Sequence, residues 1–412
     1  MTTAAARAAA RFNVRALLPG PETALRDEVL RLRIPTHRLP LLASHAAVEV
    51  LTLQGLTIEM SQALASVIEE KGGALVTSPE ATEAVVIVPL LVASQLRDAL
   101  HVFGADFGQL GDCIGDALVA RGAAPAPLTA RGHRLEFGRR TLVMGIINAT
   151  PDSFSGDGLA RDRAAAVNRA QQMVEAGAAM IDVGGESTRP NSATVTADEE
   201  RDRVLPLVEL LVRALDVPIS IDTRKPEVAA AALDSGAALL NDIWGLRAEP
   251  EMAQVAAAHA DCGVIVMHNH HGVEYENVMS DIAAALRQSI AIAEDAGVAA
   301  DRILVDPGFG FAKTPAQNLE VMRRLRELRA IGRPVLVGPS RKSTIGFLTA
   351  GAAAGDRLEG SLALAALAVA GGADIVRVHD VAETVRAVAV ADAVVRGTPS
   401  DILALPPPGP TG

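Results

Sequence analysis

The 412 residues are 49% apolar, enough core for one large domain with a smaller one or for two of medium size, and too many for a small disulfide-stapled scaffold. With 38 Lys+Arg against 49 Asp+Glu and a net charge of -11, the chain lacks the basic field of a nucleic-acid binder, so any anionic ligand has to be met by local cations. The aromatic complement of 1 Trp, 1 Tyr and 8 Phe argues against stacking platforms for bases and implies a core of Ala, Val, Leu and Ile.

In chain order, residues 1–11, MTTAAARAAAR, are acid-free and followed by no apolar secretory segment; a disordered start is expected, in preference to an organelle transit peptide. Residues 12–120 read as a small α/β domain of unassigned role. LTIEMSQALASVIEEKG patterns as a helix, AVVIVPLL as a strand and VASQLRDALHVFG as a second helix, while the glycines of GDCIGDA (Gly111 to Ala117) suggest a loop. The Pro/Ala/Gly-rich residues 121–134 read as a linker, and residues 398–412 as a flexible tail. The longest apolar runs, Ala84 to Ala93 and Leu362 to Ala373, are shorter than the roughly 18 residues of a membrane-spanning helix. Cys113 and Cys262 have no metal or redox spacing, and a reduced, cytoplasmic setting is the simplest expectation.

From 135 to 397 the texture changes to a steady alternation of short aliphatic strands and amphipathic helices. Eight strand candidates occur: TLVMGII, AMIDVGG, PISID, ALLND, GVIVMH, RILVDPG, PVLVGPS and DIVRVHD. Each precedes a helix-like segment, such as Pro226 to Asp234 or Arg357 to Ala370. Eight βα units in about 260 residues predict a (β/α)8 TIM barrel, because an open doubly wound sheet would have fewer strands and a G-x-G-x-x-G after the first. The strands turn polar at their C-terminal ends, at Asn148, Gly184 to Glu186, Asp222, Asn241 and Asp242, His268, Asp306, Ser340 to Lys342 and Arg377 to His379. A barrel gathers those ends at one mouth. One or two of them would be helix caps; polar residues on all eight require a shared site.

Two chemistries meet there. Asp222, Asn241 and Asp306 accept hydrogen bonds from the ring N–H and amino groups of a flat heterocycle, and Lys342 donates to a ring carbonyl or nitrogen. Arg189, Arg377 and His379 suit phosphate. The segment NATPDSFSGDG is a long loop whose Asn148 and Asp152 offer hard oxygen ligands for Mg2+, and GGESTRPNSA is a second polar loop armed with Ser187, Thr188 and Arg189. Together they imply a heterocycle carrying phosphate or pyrophosphate, reacting under cover from water. His268, His270 and His271 lack a further ligand at zinc spacing, and His268 reads as a satisfied strand-end residue.

MGIINATPDSFSGDG, IDVGGESTRP, ISIDTRK, LLNDI, VMH, DPGFGF, GPSRKS and RVHDV, in this order, resemble the dihydropteroate synthase family over about residues 137–396. The resemblance implies condensation of 6-hydroxymethyl-7,8-dihydropterin pyrophosphate with p-aminobenzoate to 7,8-dihydropteroate and pyrophosphate, with Mg2+ bound near Asn148, and inhibition by sulfonamides. It implies that Asp222, Asn241, Asp306 and Lys342 hold the pterin with Met267 against its face. Arg377 would stack on the ring and bind pyrophosphate with His379 and Asn148. Thr188, Arg189, Pro190, Phe311 and Ser343 would form the p-aminobenzoate pocket, with Asp152 and Phe154 in its first loop. Asn148, Lys342, Arg377 and His379 would carry the catalysis, and a homodimer through the later barrel helices is implied. Asn191 and Ala312 stand where Gly is common, and HNHHG replaces a more apolar stretch, removing none of these ligands. The alternatives are a pterin methyltransferase acting on a corrinoid, which has no need of the SRKS and RVHD cations, and a catalytically silent pterin-binding homologue, which would have lost them.

Overall fold

The computed structural model describes residues 48–149, 159–186 and 195–397. The chain divides into two units, Met1–Val119 and Ala120–Gly412. In the first, β1 (Val48–Gln54), β2 (Ala74–Thr77) and β3 (Glu83–Pro89) form an antiparallel sheet in the order β1-β3-β2. The helices are α1 (Ile58–Glu70), α2 (Leu90–His101) and α3 (Ala105–Gly122). Thr57 caps α1 by accepting from the Met60 N–H, and Leu64, Ile68, Val86, Val88, Leu96 and Leu100 form a small core. The expected α1, β3 and α2 are present. GDCIGDA is not a loop; it lies inside α3. A Cβ on Gly111 would stand 2.7 Å from the Arg97 carbonyl of α2, so the glycine there serves close helix packing and not a turn.

In the second unit, β6 (Leu142–Asn148), β7 (Met180–Gly184), β8 (Ile219–Asp222), β9 (Leu239–Asp242), β10 (Gly263–Met267), β11 (Ile303–Asp306), β12 (Leu336–Val337) and β13 (Ile375–Val378) form one parallel sheet. Its order is β11-β10-β9-β8-β7-β6-β13-β12, and a parallel bridge between Val305 and Val335 closes the ring. The helices are α4 (Leu159–Glu175), α5 (Ala197–Ala214), α6 (Pro226–Asp234), α7 (Pro250–Ala258), α8 (Val278–Asp295), α9 (Pro315–Arg324), α10 (Ser343–Leu348), α11 (Leu358–Ala370) and α12 (Val381–Arg396). This is a TIM barrel. Its helix starts follow local chemistry: Thr196 and Thr314 make capping boxes with Glu199 and Gln317, and proline opens α6, α7 and α9.

The segment read as a linker is structured. Its first residues end α3, and β4 (Leu128–Ala130) and β5 (His133–Leu135) make an antiparallel hairpin. Leu128 and Ala130 are fully buried in one cluster with Leu142, Met144, Met180, Leu239, Ile265, Leu304, Leu336 and Ile375, the inward side chains of the lower barrel. Outward residues such as Val143, Ile181, Leu240, Val264 and Val376 pack beneath the helices in a second, larger cluster.

Candidate active site

Strand periodicity decides what lines the mouth. On four of the strands the inward position becomes polar two residues beyond the apolar layer: Met180 gives way to Asp182, Leu239 to Asn241, Leu304 to Asp306 and Ile375 to Arg377. Register then places them side by side. Asp222 pairs with Asn241 and with Gly184, and Met267 with Asp306.

Arg377 occupies the centre. Its Nε donates to Asp182 Oδ2 and its Nη2 to Asp222 Oδ2, both at 2.6 Å, and Asn241 Nδ2 donates to the same Asp182 oxygen at 3.1 Å. The sequence reading treats Asp222 as an open acceptor; in the fold it is already clamped to the arginine. Asp182, a member of this cluster, is not among the residues singled out from the sequence. Its side chain is fully buried, and its other oxygen, Oδ1, has no partner among the described residues. The available signal is a lone carboxylate inside the apolar run MIDVG, which demands a cationic partner.

Burial sets the protonation of the cluster. Asp222 is pushed up to about 7 by desolvation and by the Asp182 carboxylate that shares its arginine, against the opposing pull of Arg377. Desolvation also raises Asp306 to about 6, although the Gly308 N–H donates to its Oδ1 at 2.7 Å. Lys342 is lowered to about 8 by burial and by Arg377 nearby, and its Nζ stands 3.9 Å from the centroid of the Phe311 ring. The two carboxylates on Arg377 keep its guanidinium charged in spite of burial.

His379 differs from the expected cation. Burial, with Arg377 and Arg341 close by, holds its imidazole down to about 3, so it is neutral. Its backbone N–H donates to Ser340 Oγ at 3.2 Å, and that hydroxyl lies 3.0 Å from Nδ1. The hydroxyl can donate to Nδ1, the arrangement in which Nε2–H is the ring's donor. Arg341 is tied back to Asp380.

The remaining predicted residues sort clearly. Met267 is buried at the end of β10, Asn148 is exposed at the end of β6, and Ser343 is exposed at the start of α10. Asp152, Phe154, Ser187, Thr188, Arg189, Pro190 and Asn191 lie outside the described residues. The flank of the second loop is anchored: Glu186 accepts from Lys225 at 2.8 Å and from the Val195 N–H at 3.4 Å, and Lys225 also bonds Glu200. Among the described residues no three His, Cys, Asp or Glu side chains gather as a metal cage. His268 is buried, held to about 2 by desolvation and by Lys313, whose Nζ is 3.1 Å from its Nδ1.

The pterin binding enzyme family model matches residues 144–379. A dihydropteroate synthase of Synechocystis sp. is 44% identical over 278 residues, which cover 66% of this chain and 96% of that one. The solved Burkholderia cenocepacia dihydropteroate synthase complexed with 7,8-dihydropteroate is 44% identical, with a TM-score of 0.60 over 66% of this chain and 97% of that one. A probable bifunctional folylpolyglutamate synthase/dihydropteroate synthase of Halobacterium salinarum is 41% identical over 384 residues, covering 90% of this chain and 43% of its own length. At that coverage the match reaches into the N-terminal unit. The barrel, the strand-end residues and these similarities agree: the chain belongs to the pterin-binding enzymes, in the dihydropteroate synthase family.

Proposed function

We propose that the barrel mouth joins 6-hydroxymethyl-7,8-dihydropterin pyrophosphate to p-aminobenzoate, giving 7,8-dihydropteroate and pyrophosphate. The observation that carries this reading is the acid-rich, arginine-centred floor: Asp182, Asp222 and Asp306 around Arg377 and Lys342. A pterin edge is rich in N–H donors, and the orphaned Asp182 Oδ1 gives this floor acceptor capacity to spare.

In this reading Asp222, Asn241, Asp306 and Lys342 hold the pterin edge, Met267 lies against one face, and the guanidinium plane of Arg377 supplies the other. Arg377, the Nε2–H of His379 and the amide of Asn148 receive the leaving pyrophosphate. Asn148 is a single neutral ligand, and no carboxylate cage stands beside it among the described residues. That donor set fits Mg2+ held mainly by pyrophosphate and water, where the ion would offset the charge of the leaving group.

The C–O bond to pyrophosphate breaks first, its electron pair leaving with the phosphate oxygen. The pterin ring delocalises the resulting cation above the Asp222 and Asp306 carboxyls. The neutral aniline nitrogen then attacks the methylene carbon to form the C–N bond, and its surplus proton passes to solvent or product phosphate. No strong base is needed, so stabilising the leaving group and positioning the amine supply most of the acceleration. Phe311 and Ser343, with Thr188, Arg189, Pro190, Asp152 and Phe154 from the two loops, form the p-aminobenzoate pocket in this reading, and sulfonamides should compete there.

Two coarser expectations belong with this reading. Among the described residues no helix is long and apolar enough to cross a membrane, and the free thiols of Cys113 and Cys262 suit the cytoplasm. Exposed Phe347, Leu348, Leu367, Val390 and Val394 on α10 to α12 favour a homodimer through those helices. The direct test of function is product analysis: purified protein, both substrates and Mg2+ should yield dihydropteroate and pyrophosphate in equal amounts. Absence of dihydropteroate would refute the proposal.

A further inference from the structure

The turn joining β11 to α9 carries both ends of the site: the Gly308 N–H bonds Asp306, and three residues later Phe311 lies under the Lys342 ammonium. It is an awkward piece of backbone. Gly308 has φ +69° and lies against the His268 carbonyl, where any Cβ would collide. Ala312 has φ +46°, the left-handed region that an alanine adopts only under restraint. Something must therefore hold this turn. Tyr275 Oη donates to the Ala312 carbonyl at 3.0 Å, and Asn318 Oδ1 accepts from the Gly310 N–H at 2.7 Å.

The third brace is Lys313, a lysine only 9% exposed. Its Nζ reaches Gly308 O at 3.1 Å, Phe311 O at 3.2 Å and His268 Nδ1 at 3.1 Å. In its ammonium form Nζ has three N–H donors for these three partners, one of them on a different strand end. Such a group spans the turn from its first glycine to the carbonyl of the aromatic residue. Neither the departure of pyrophosphate nor the attack of the amine uses it.

We propose that Lys313 is a positioning residue for the aromatic amine: by bonding Gly308, Phe311 and His268 together it fixes the Phe311 ring under Lys342 and so sets the affinity for p-aminobenzoate. The inference rests on the reading of Phe311 as part of that pocket. It predicts a split between the two substrates. Asp306 sits on a paired strand and keeps its place without Lys313, whereas Phe311 lies in the turn and does not.

The test is Lys313→Met, which keeps the chain's length and apolar fit and removes all three donors. The KM for p-aminobenzoate should rise about tenfold or more while that for the pterin pyrophosphate stays within about twofold. Amide hydrogen exchange supplies a readout independent of turnover: Gly310 and Phe311 should exchange about tenfold faster, with Leu304 and Val305 still protected. Unchanged exchange at Gly310 and Phe311 overturns the proposal whatever the activity. Faster exchange with an unchanged p-aminobenzoate KM overturns it too, because the turn would then be braced without serving the substrate. A wild-type chain that makes no dihydropteroate refutes the site reading instead, and exchange still decides whether Lys313 holds the turn. Should Lys313→Met fail to fold, Lys313→Ala is measured with and without ethylammonium. Recovery of the p-aminobenzoate KM with the amine supports the proposal, and no response to it refutes the proposal.

Discussion

The bottom and the mouth of the barrel are built on the same strands, two residues apart, with opposite chemistry. Below, Leu142, Met180, Leu239, Leu304 and Ile375 meet the hairpin residues Leu128 and Ala130 in a buried, apolar layer. Above, the equivalent inward positions are polar: Asp182, Asp306 and Arg377 are ionisable, and Asn241 is a neutral amide. The difference shows what each layer is for. Apolar packing stabilises without requiring partners, whereas every charged group in the upper layer costs free energy unless it is matched. The apolar layer beneath therefore adds stability that does not depend on how the charges at the mouth are matched.

The largest effect should follow from breaking the upper layer. Arg377→Met removes the shared partner of Asp182 and Asp222 together with the cation proposed to face the leaving group. Turnover should fall by about 10^2 to 10^3-fold or more, as when a single preorganised donor is lost. Stability should fall by about 3 to 5 kcal/mol, because two buried carboxyls lose their partner. Pyrophosphate release and urea melts measure the two effects. Retained turnover would remove Arg377 from the chemistry. In the lower layer, Leu128→Ala should cost about 2 to 5 kcal/mol by opening a cavity and leave kcat unchanged. A matching loss of kcat would show that the layers are not separable.

Much of the upper layer was legible in the sequence because a strand that is apolar along its length gains nothing in packing from polar side chains at its last residues; eight such ends in one barrel point to a ligand. Asp222, Asn241, Asp306 and Arg377 stand out on that ground alone. Their pairing was not legible: Arg377 and Asp182 lie 195 residues apart, and local pattern cannot tell which strand end faces which. Nor was the neutrality of His379, which comes first from burial in the folded barrel and then from Arg377 on its own strand and Arg341 from another strand end. The hairpin was hidden because strands of three residues, Leu128–Ala130 and His133–Leu135, are too short to display alternation. The glycines of α3 read as a loop for a related reason: close packing and turns ask for the same residue.

The smallest expected effect distinguishes the layers by pH. Burial lowers Lys313 to about 7, against an ordinary value of 10.5. Between those values the unfolded chain holds a proton that the fold has released, so unfolding free energy rises with pH across that window and the contribution is absent below it. Asp222 and Asp306, raised to about 7 and about 6, act in the opposite direction at lower pH, stabilising the fold as pH falls toward the ordinary carboxyl range. His268 and His379, lowered to about 2 and about 3, oppose them there, so acid titration would blur the four groups together. The alkaline side is cleaner. From pH 7 to pH 8 the stability of the wild type relative to Lys313→Met should grow by about 1 kcal/mol, since Asp222 and Lys342, which also titrate near this window, are present in both proteins. Trp244, the single tryptophan, reports the barrel's own melt. In Leu128→Ala the same pH increment should persist, because the lower layer holds no titrating group; an increment that vanished there would mean that the apolar layer sets the burial of Lys313 and that the two layers act as one.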